Sequence, residues 1–174
     1  MAIEIRTLTA GDVEAYREIR LRSVKEHPEA FLASFEEESA RTVEQDRERL
    51  AAKEGRDDDF VLVAFDDDRP VGLTGAIRSG HHAKRHHIAW VWGVYVAPEV
   101  RGRGVGRRLM ESAIETISKA GGVEMLQLGV GTENHAARAL YERMGFETYG
   151  TEVHCMKLGD RYIDEHLMVR FLKP

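Results

Sequence analysis

Four groups of residues have types and spacings that could do chemistry. The first is the run Arg101-Gly102-Arg103-Gly104-Val105-Gly106, followed by Arg107 and Arg108. Glycines let a backbone approach a ligand without Cβ obstruction, and a helix start carries unpaired N–H groups with partial positive charge. A helix beginning here would therefore suit an anionic phosphate. The second group is Asn134 and Tyr141. Seven residues are close to two helical turns, so an amide and a phenol share one helix face, where by themselves they read as an N-cap and a half-buried packing aromatic. The third is His81, His82, His86 and His87, which have metal-ligating chemistry. The interleaved Lys84-Arg85 and loop-like composition favour a solvated turn, and no metal is expected. The fourth is Cys155, the only cysteine, so no internal disulfide and no cysteine-based metal site is available, and it reads as a packing residue.

The Gly/Arg run matches neither common phosphate loop. A P-loop needs Gly-Lys followed by Ser or Thr, whereas Gly106 precedes Arg107 and Arg108. A dinucleotide fingerprint needs glycine at position 107 and a strand near the start of a βαβ unit rather than in mid-chain. Taken alone, the run is equally a tight, solvated strand-to-helix connection.

The flanking elements weigh on that choice. Upstream, Trp90-Val91-Trp92-Gly93-Val94-Tyr95-Val96 is rich in β-branched and aromatic residues and is closed by Pro98, as a buried strand is. Downstream, Val105, Leu109, Met110, Ala113, Ile114, Ile117 and Ala120 recur at helical spacing until Gly121-Gly122. Earlier in the chain, Ile3 to Leu8 reads as a strand. Thr9 and Asp12 form a capping-box-like start for a helix carrying Val13, Tyr16, Ile19 and Val24, which His27-Pro28 ends. Residues 30–40 are a mixed segment too apolar for a free loop, and Thr42 with Gln45 opens a second, charged helix. Two strands, 60–65 and 71–78, are joined by a turn rich in aspartate. A further strand over 123–130, a short helix over 134–144 closed by Gly145, and a terminal hairpin of 146–158 and 162–172 around Gly159-Asp160 complete the order β-α-α-β-β-β-α-β-α-β-β. That order predicts an α/β (α+β) fold: one domain over 1–174, with a mixed sheet of about seven strands and about four helices on its faces.

Composition narrows the function classes. A length of 174 residues with 43% apolar and 32% charged residues fits one soluble globular domain with a real core. A net charge of −5 argues against a general nucleic-acid partner, so the arginines near the glycine run are a local feature. The N-terminal Met1-Ala2-Ile3-Glu4-Ile5-Arg6 alternates like a strand and lacks a signal-peptide apolar run, and no segment is long enough to span a membrane. A cytoplasmic protein without a membrane partner is the default expectation.

With these elements in place, the chain resembles the GNAT superfamily of acetyl-CoA-dependent N-acetyltransferases over nearly its whole length. The resemblance rests on Val94-Tyr95-Val96-Ala97-Pro98 followed by the Gly/Arg run, on Val130-Gly131-Thr132-Glu133-Asn134, and on Ala139-Leu140-Tyr141-Glu142-Arg143-Met144-Gly145-Phe146. The family's pyrophosphate loop is satisfied by Arg101, Gly104 and Gly106. The resemblance implies a mostly antiparallel sheet with a splayed central strand pair, commonly bulged, for which Gly93 is a suitable place. It also implies acetyl-CoA as co-substrate. Residues Arg101, Gly102, Arg103, Gly104, Val105, Gly106 and Arg107 would hold its pyrophosphate, and Val94, Tyr95 and Val96 would line the pantetheine arm as though it were an extra strand. An amide near Val94 would donate to the acetyl carbonyl. Asn134 would contact the pantetheine region, and the Tyr141 hydroxyl would act as acid toward the departing sulfur. Family precedent further implies a possible homodimer.

The base that frees the attacking amine is less defined. His87 and Glu36 are the candidates, and ordered water is the alternative. The acceptor, a small-molecule or peptide amine, has no signature of its own. Glu36-Glu37-Glu38 would suit a cationic amine or form a solvated acidic face. Two competing classes stand beside the enzyme: a non-catalytic acyl-CoA sensor, and a nucleotide binder unrelated to coenzyme A.

Overall fold

The computed structural model of this chain describes residues 3–80 and 82–172, so Met1, Ala2, His81 of the histidine group, Lys173 and Pro174 lie outside the described residues. Seven strands, β1 (Ile3–Thr7), β2 (Asp59–Asp66), β3 (Arg69–Arg78), β4 (Ile88–Val96), β5 (Met125–Gly131), β6 (Glu147–Leu158) and β7 (Arg161–Phe171), form one sheet. Their order is β1-β2-β3-β4-β5-β7-β6. Every neighbouring pair is antiparallel except β4 and β5.

Five α-helices accompany the sheet: α1 (Val13–Glu26), α2 (Phe35–Ala40), α3 (Val43–Ala51), α4 (Val105–Lys119) and α5 (His135–Arg143). The expectation of about four was one short, because the mixed segment before the second expected helix contains α2. A capping box explains it: the Ser34 amide donates to Glu37 Oε2 at 2.8 Å, and the Glu37 amide donates to Ser34 Oγ at 3.1 Å. The same device opens α3 through Thr42 and Gln45. Before α1, the Asp12 carboxylate accepts from the Thr9 amide and hydroxyl, 2.9 Å each.

Helix α4 lies across β1 to β4 on one face of the sheet, while α1 packs on β3 from the other face and carries α2 and α3 with it. The apolar stripe read from α4 is the centre of the core: Leu109, Met110, Ala113 and Ile117 are fully buried. On α5 and the turn after it, Tyr141 and Phe146 join the same cluster with Leu126, Leu128 and Met168. The sheet is thus a partition with α4 on one side and α1, α2 and α3 on the other.

Candidate active site

The partition has a gap. Strands β4 and β5 are paired over only three positions, Ile88–Met125, Ala89–Leu126 and Trp90–Gln127. Beyond Trp90, β4 stays with β3 while β5 follows β7 as far as the Gly131–Glu165 pair, so the facing edges of the two central strands separate. A bulge accompanies the separation. Leu73 is opposite Tyr95 and Gly75 opposite Trp92, leaving Gly93 and Val94 to face Thr74 alone. Gly93 has φ of 70°, a left-handed conformation that a bulge of this kind requires and that a Cβ penalises.

The bulge sorts side chains between the faces. Tyr95 reaches the α1 face, where its hydroxyl donates to Glu26 Oε2 at 2.5 Å; burial and this carboxylate raise the phenol above its ordinary pKa. A Cβ at Gly93 would point the same way, lying 3.9 Å from Arg20 Nη1. Val96 instead points to the α4 face, where its Cγ2 lies 3.4 Å from the position of a Cβ on Gly106.

A cleft of about 1120 Å³ opens where the strands part. Val94, Tyr95 and Val96 line one side, and Arg101, Gly102, Gly104, Val105, Gly106 and Arg107 line one end. Gly102 (φ 77°) and Gly104 (φ 75°) turn the chain through left-handed conformations into α4. Arg108 is the first residue to bond back, its amide donating to the Gly104 carbonyl at 3.1 Å, so the first-turn amides before it have no intrahelical acceptor. Arg101 is held by the Val96 carbonyl (Nε, 3.1 Å) and by His27 Nε2 (2.9 Å). A Cβ on Gly106 would also crowd Leu140 Cδ2 at 3.3 Å, where α4 and α5 come together.

Asn134 and Tyr141 both line this cleft, as their shared helix face requires. Asn134 is the N-cap of α5: its Oδ1 accepts from the Ala137 amide at 3.1 Å, which leaves its Nδ2 for other contacts. Tyr141 is 5% exposed and packs edge-on against Phe146, with ring centroids 6.2 Å apart. Burial raises its hydroxyl above the ordinary phenol range.

Other expected site residues lie elsewhere. Arg103 turns its side chain away from the cleft to Asp66, at 3.0 Å, and Arg108 donates to the Ile3 carbonyl at 2.8 Å. His87 precedes β4 at the end where the parallel ladder begins. Seven residue steps along the strand, about 23 Å, separate it from Val94, and its carbonyl accepts from the Glu124 and Met125 amides. Glu36 is exposed in the first turn of α2 and lines no cleft. His82, His86 and His87 flank or follow a short turn over Ala83–Arg85, and among the described residues no group of three or more His, Cys, Asp or Glu could hold a metal ion. Cys155 is half-buried in β6, its thiol donating to the Ile163 carbonyl at 3.1 Å.

Two residues with no distinguishing local motif stand beside the gap. Gln127 is opposite Trp90, so Gly129, two residues on, shares the α1 face of the sheet. A Cβ there would lie 2.6 Å from Glu165 Oε2, so the Glu165 carboxylate of β7 fills the space where a side chain of β5 would be. Glu165 is raised above the usual carboxylate range, by burial first and by Glu152 second. Arg20, from α1, is the other. A tandem of extended strand register and helix packing brings both to this face, and no local motif encodes either.

The family described as Acetyltransferase (GNAT) family matches residues 21–146. Mycothiol acetyltransferase of Kocuria rhizophila is 29% identical over 163 residues, covering 87% of this chain and 48% of that protein. The chain spans about half the length of the curated relatives it matches. Among solved structures, a GNAT-family acetyltransferase of Streptococcus pneumoniae superposes with a TM-score of 0.88 at 23% identity over 98% of this chain and 100% of that one. The yncA protein of Salmonella typhimurium, solved with its cofactor acetyl-CoA, gives 0.84 at 20% identity over 100% and 96%. With the family match spanning the loop, the split strands and α5 together, this chain belongs to the GNAT acetyltransferase family.

Proposed function

We propose that this protein transfers an acetyl group from acetyl-CoA to an amine by direct attack within a ternary complex. The observation that carries the reading is the gap between β4 and β5, bulged at Gly93 and open to a cleft that joins the glycine turn at its end to Tyr141 at its wall. The residues present fit the donor. The left-handed Gly102 and Gly104 leave open backbone before α4, where a Cβ would meet nothing within 4 Å, and the helix start presents N–H groups to a pyrophosphate. The unpaired edge of β4 at Val94 and Val96 offers main-chain groups to an extended pantetheine arm.

When bound, acetyl-CoA supplies an activated acyl thioester. The amide of Val94, next to the bulge on the strand edge that borders the gap, donates to the acetyl oxygen as charge develops there. Tyr141, kept protonated by burial, donates its proton to the departing sulfur. Glu165 lies on the other face, beside the gap, and takes the proton that the attacking nitrogen must lose. We favour it over His87 and Glu36 as the base because it stands beside the gap and they do not. Acid and base thus stand on opposite faces of the sheet, with the transferred group between them.

Release of the coenzyme A thiol, measured with purified protein, acetyl-CoA and a broad amine panel, tests the reading. Acceptor-dependent release accompanied by an acetylated amine is expected. Tight acetyl-CoA binding without release for any acceptor would make the protein an acyl-CoA sensor instead.

A further inference from the structure

A second cavity, of about 230 Å³, lies on the α1 face among α1, α3 and β4, with Tyr16, Arg20, Glu38, Arg49, Lys53 and Trp92 in its wall. Arg20 is the unusual member. Only 9% of the residue is exposed, and Nη2 donates to Glu38 Oε1 at 2.9 Å. Its Nε and Nη1 are buried without any hydrogen-bond partner. The guanidinium carbon stands 5.3 Å from the Phe31 ring centroid and 5.9 Å from that of Trp92. These ring contacts favour the cation but leave its Nε and Nη1 donors unused.

The surroundings are short of negative charge. Arg17 pairs with Asp46, Arg41 with both Asp46 and Glu38, and Arg20 with Glu38. Three guanidinium groups therefore share two carboxylates. Within the cavity wall, Lys53 pairs with Asp59, and Arg49 contributes a further cation at the exposed side. Buried charge is ordinarily balanced and its hydrogen-bonding capacity filled, and a planar guanidinium suits a carboxylate above other partners.

We propose that Arg20 receives a carboxylate of the acceptor, so that the substrate is an amine bearing an acidic group. The position limits its size. Nη1 lies 3.9 Å from the place of a Cβ on Gly93, directly beside the bulge whose next residue is Val94. A carboxylate on Arg20 and a nitrogen at the gap are consequently separated by a few bonds, as in an amino acid. This specificity rests on the acetyl-transfer reading and names the acceptor end of the same site.

The test is a panel of amino acids, each paired with its carboxamide and with the amine lacking the carboxyl group, assayed by coenzyme A release. The carboxylate member should exceed its partners in kcat/KM by roughly 10- to 100-fold, the range expected for hydrogen bonds to a charged group. In Arg20→Gln that preference should collapse through KM, with acetyl-CoA affinity retained. Should this variant fold poorly, the comparison of paired substrates on the unaltered protein decides alone. Equal turnover of carboxylates, amides and simple amines overturns the proposal while sparing the acetyl-transfer reading. Absence of coenzyme A release with every compound removes both.

Discussion

Tyr141 is buried and Glu165 partly buried, and burial pushes each acid toward its neutral form. For the phenol, the neutral form is the useful one. Tyr141→Phe removes the proton but keeps the ring against Phe146, so turnover should fall about 100-fold or more while the calorimetric affinity for acetyl-CoA stays close to that of the unaltered protein. The base role proposed for Glu165 needs the form that the fold resists. A carboxyl whose pKa is higher in the folded chain favours folding below its unfolded value, near ~4.3, and loses that contribution as pH rises through the folded value. Glu165→Gln should therefore melt at a higher temperature than the unaltered protein at pH 7, with the gap closing toward pH 4, and should transfer acetyl groups more slowly. A lower melting temperature at pH 7 would show that the ionised carboxylate is stabilised by partners rather than held against its preference. Neither Glu165 nor Arg20 was legible in the sequence, because each reaches the gap from a distant element. Tyr141 and Asn134 were singled out by the family resemblance, and their seven-residue spacing on one helix accounts for their lining the same cleft.

Among the elements, those with local signals were readable and those set by packing were not. The strand before the glycine run, the stripe of α4 and the hairpin around Gly159-Asp160 all follow from periodicity and turn chemistry. Helix α2 carried its own signal in Ser34-x-x-Glu37, masked by the apolar Phe31, Leu32 and Phe35 around it. The reach of the β4–β5 ladder has no local code: it depends on β7 drawing β5 away. Gly93 is where sequence and site meet. A Cβ there has room, its nearest neighbour being Arg20 Nη1 at 3.9 Å, so the cost of Gly93→Ala is conformational. About 1–2 kcal/mol of stability should be lost in denaturant titration. If the bulge flattens instead, the Val94 amide turns away and turnover falls further than stability alone explains. At the entrance to α5, Asn134→Ala should cost about 1 kcal/mol through the lost cap, measured in the same way, besides any loss of acetyl-CoA affinity.

At the scale of the whole molecule, no helix among the described residues is long and apolar enough to cross a membrane, and the acidic net charge leaves the arginines of the glycine turn as a local feature. A ligand that binds only the folded chain stabilises it by mass action. Acetyl-CoA at 100 times its dissociation constant should add ~2.7 kcal/mol to unfolding, seen as a concentration-dependent rise in melting temperature. The three-position ladder between β4 and β5 also has a meaning for the order of the chain. Everything before residue 120 builds β1 to β4 and their helices, and everything after 124 builds β5, β7, β6 and α5. The polypeptide crosses the seam once, at its laced end, so the described residues form a book of two leaves bound along a short spine, with the proposed acetyl-transfer site in the opening between its pages.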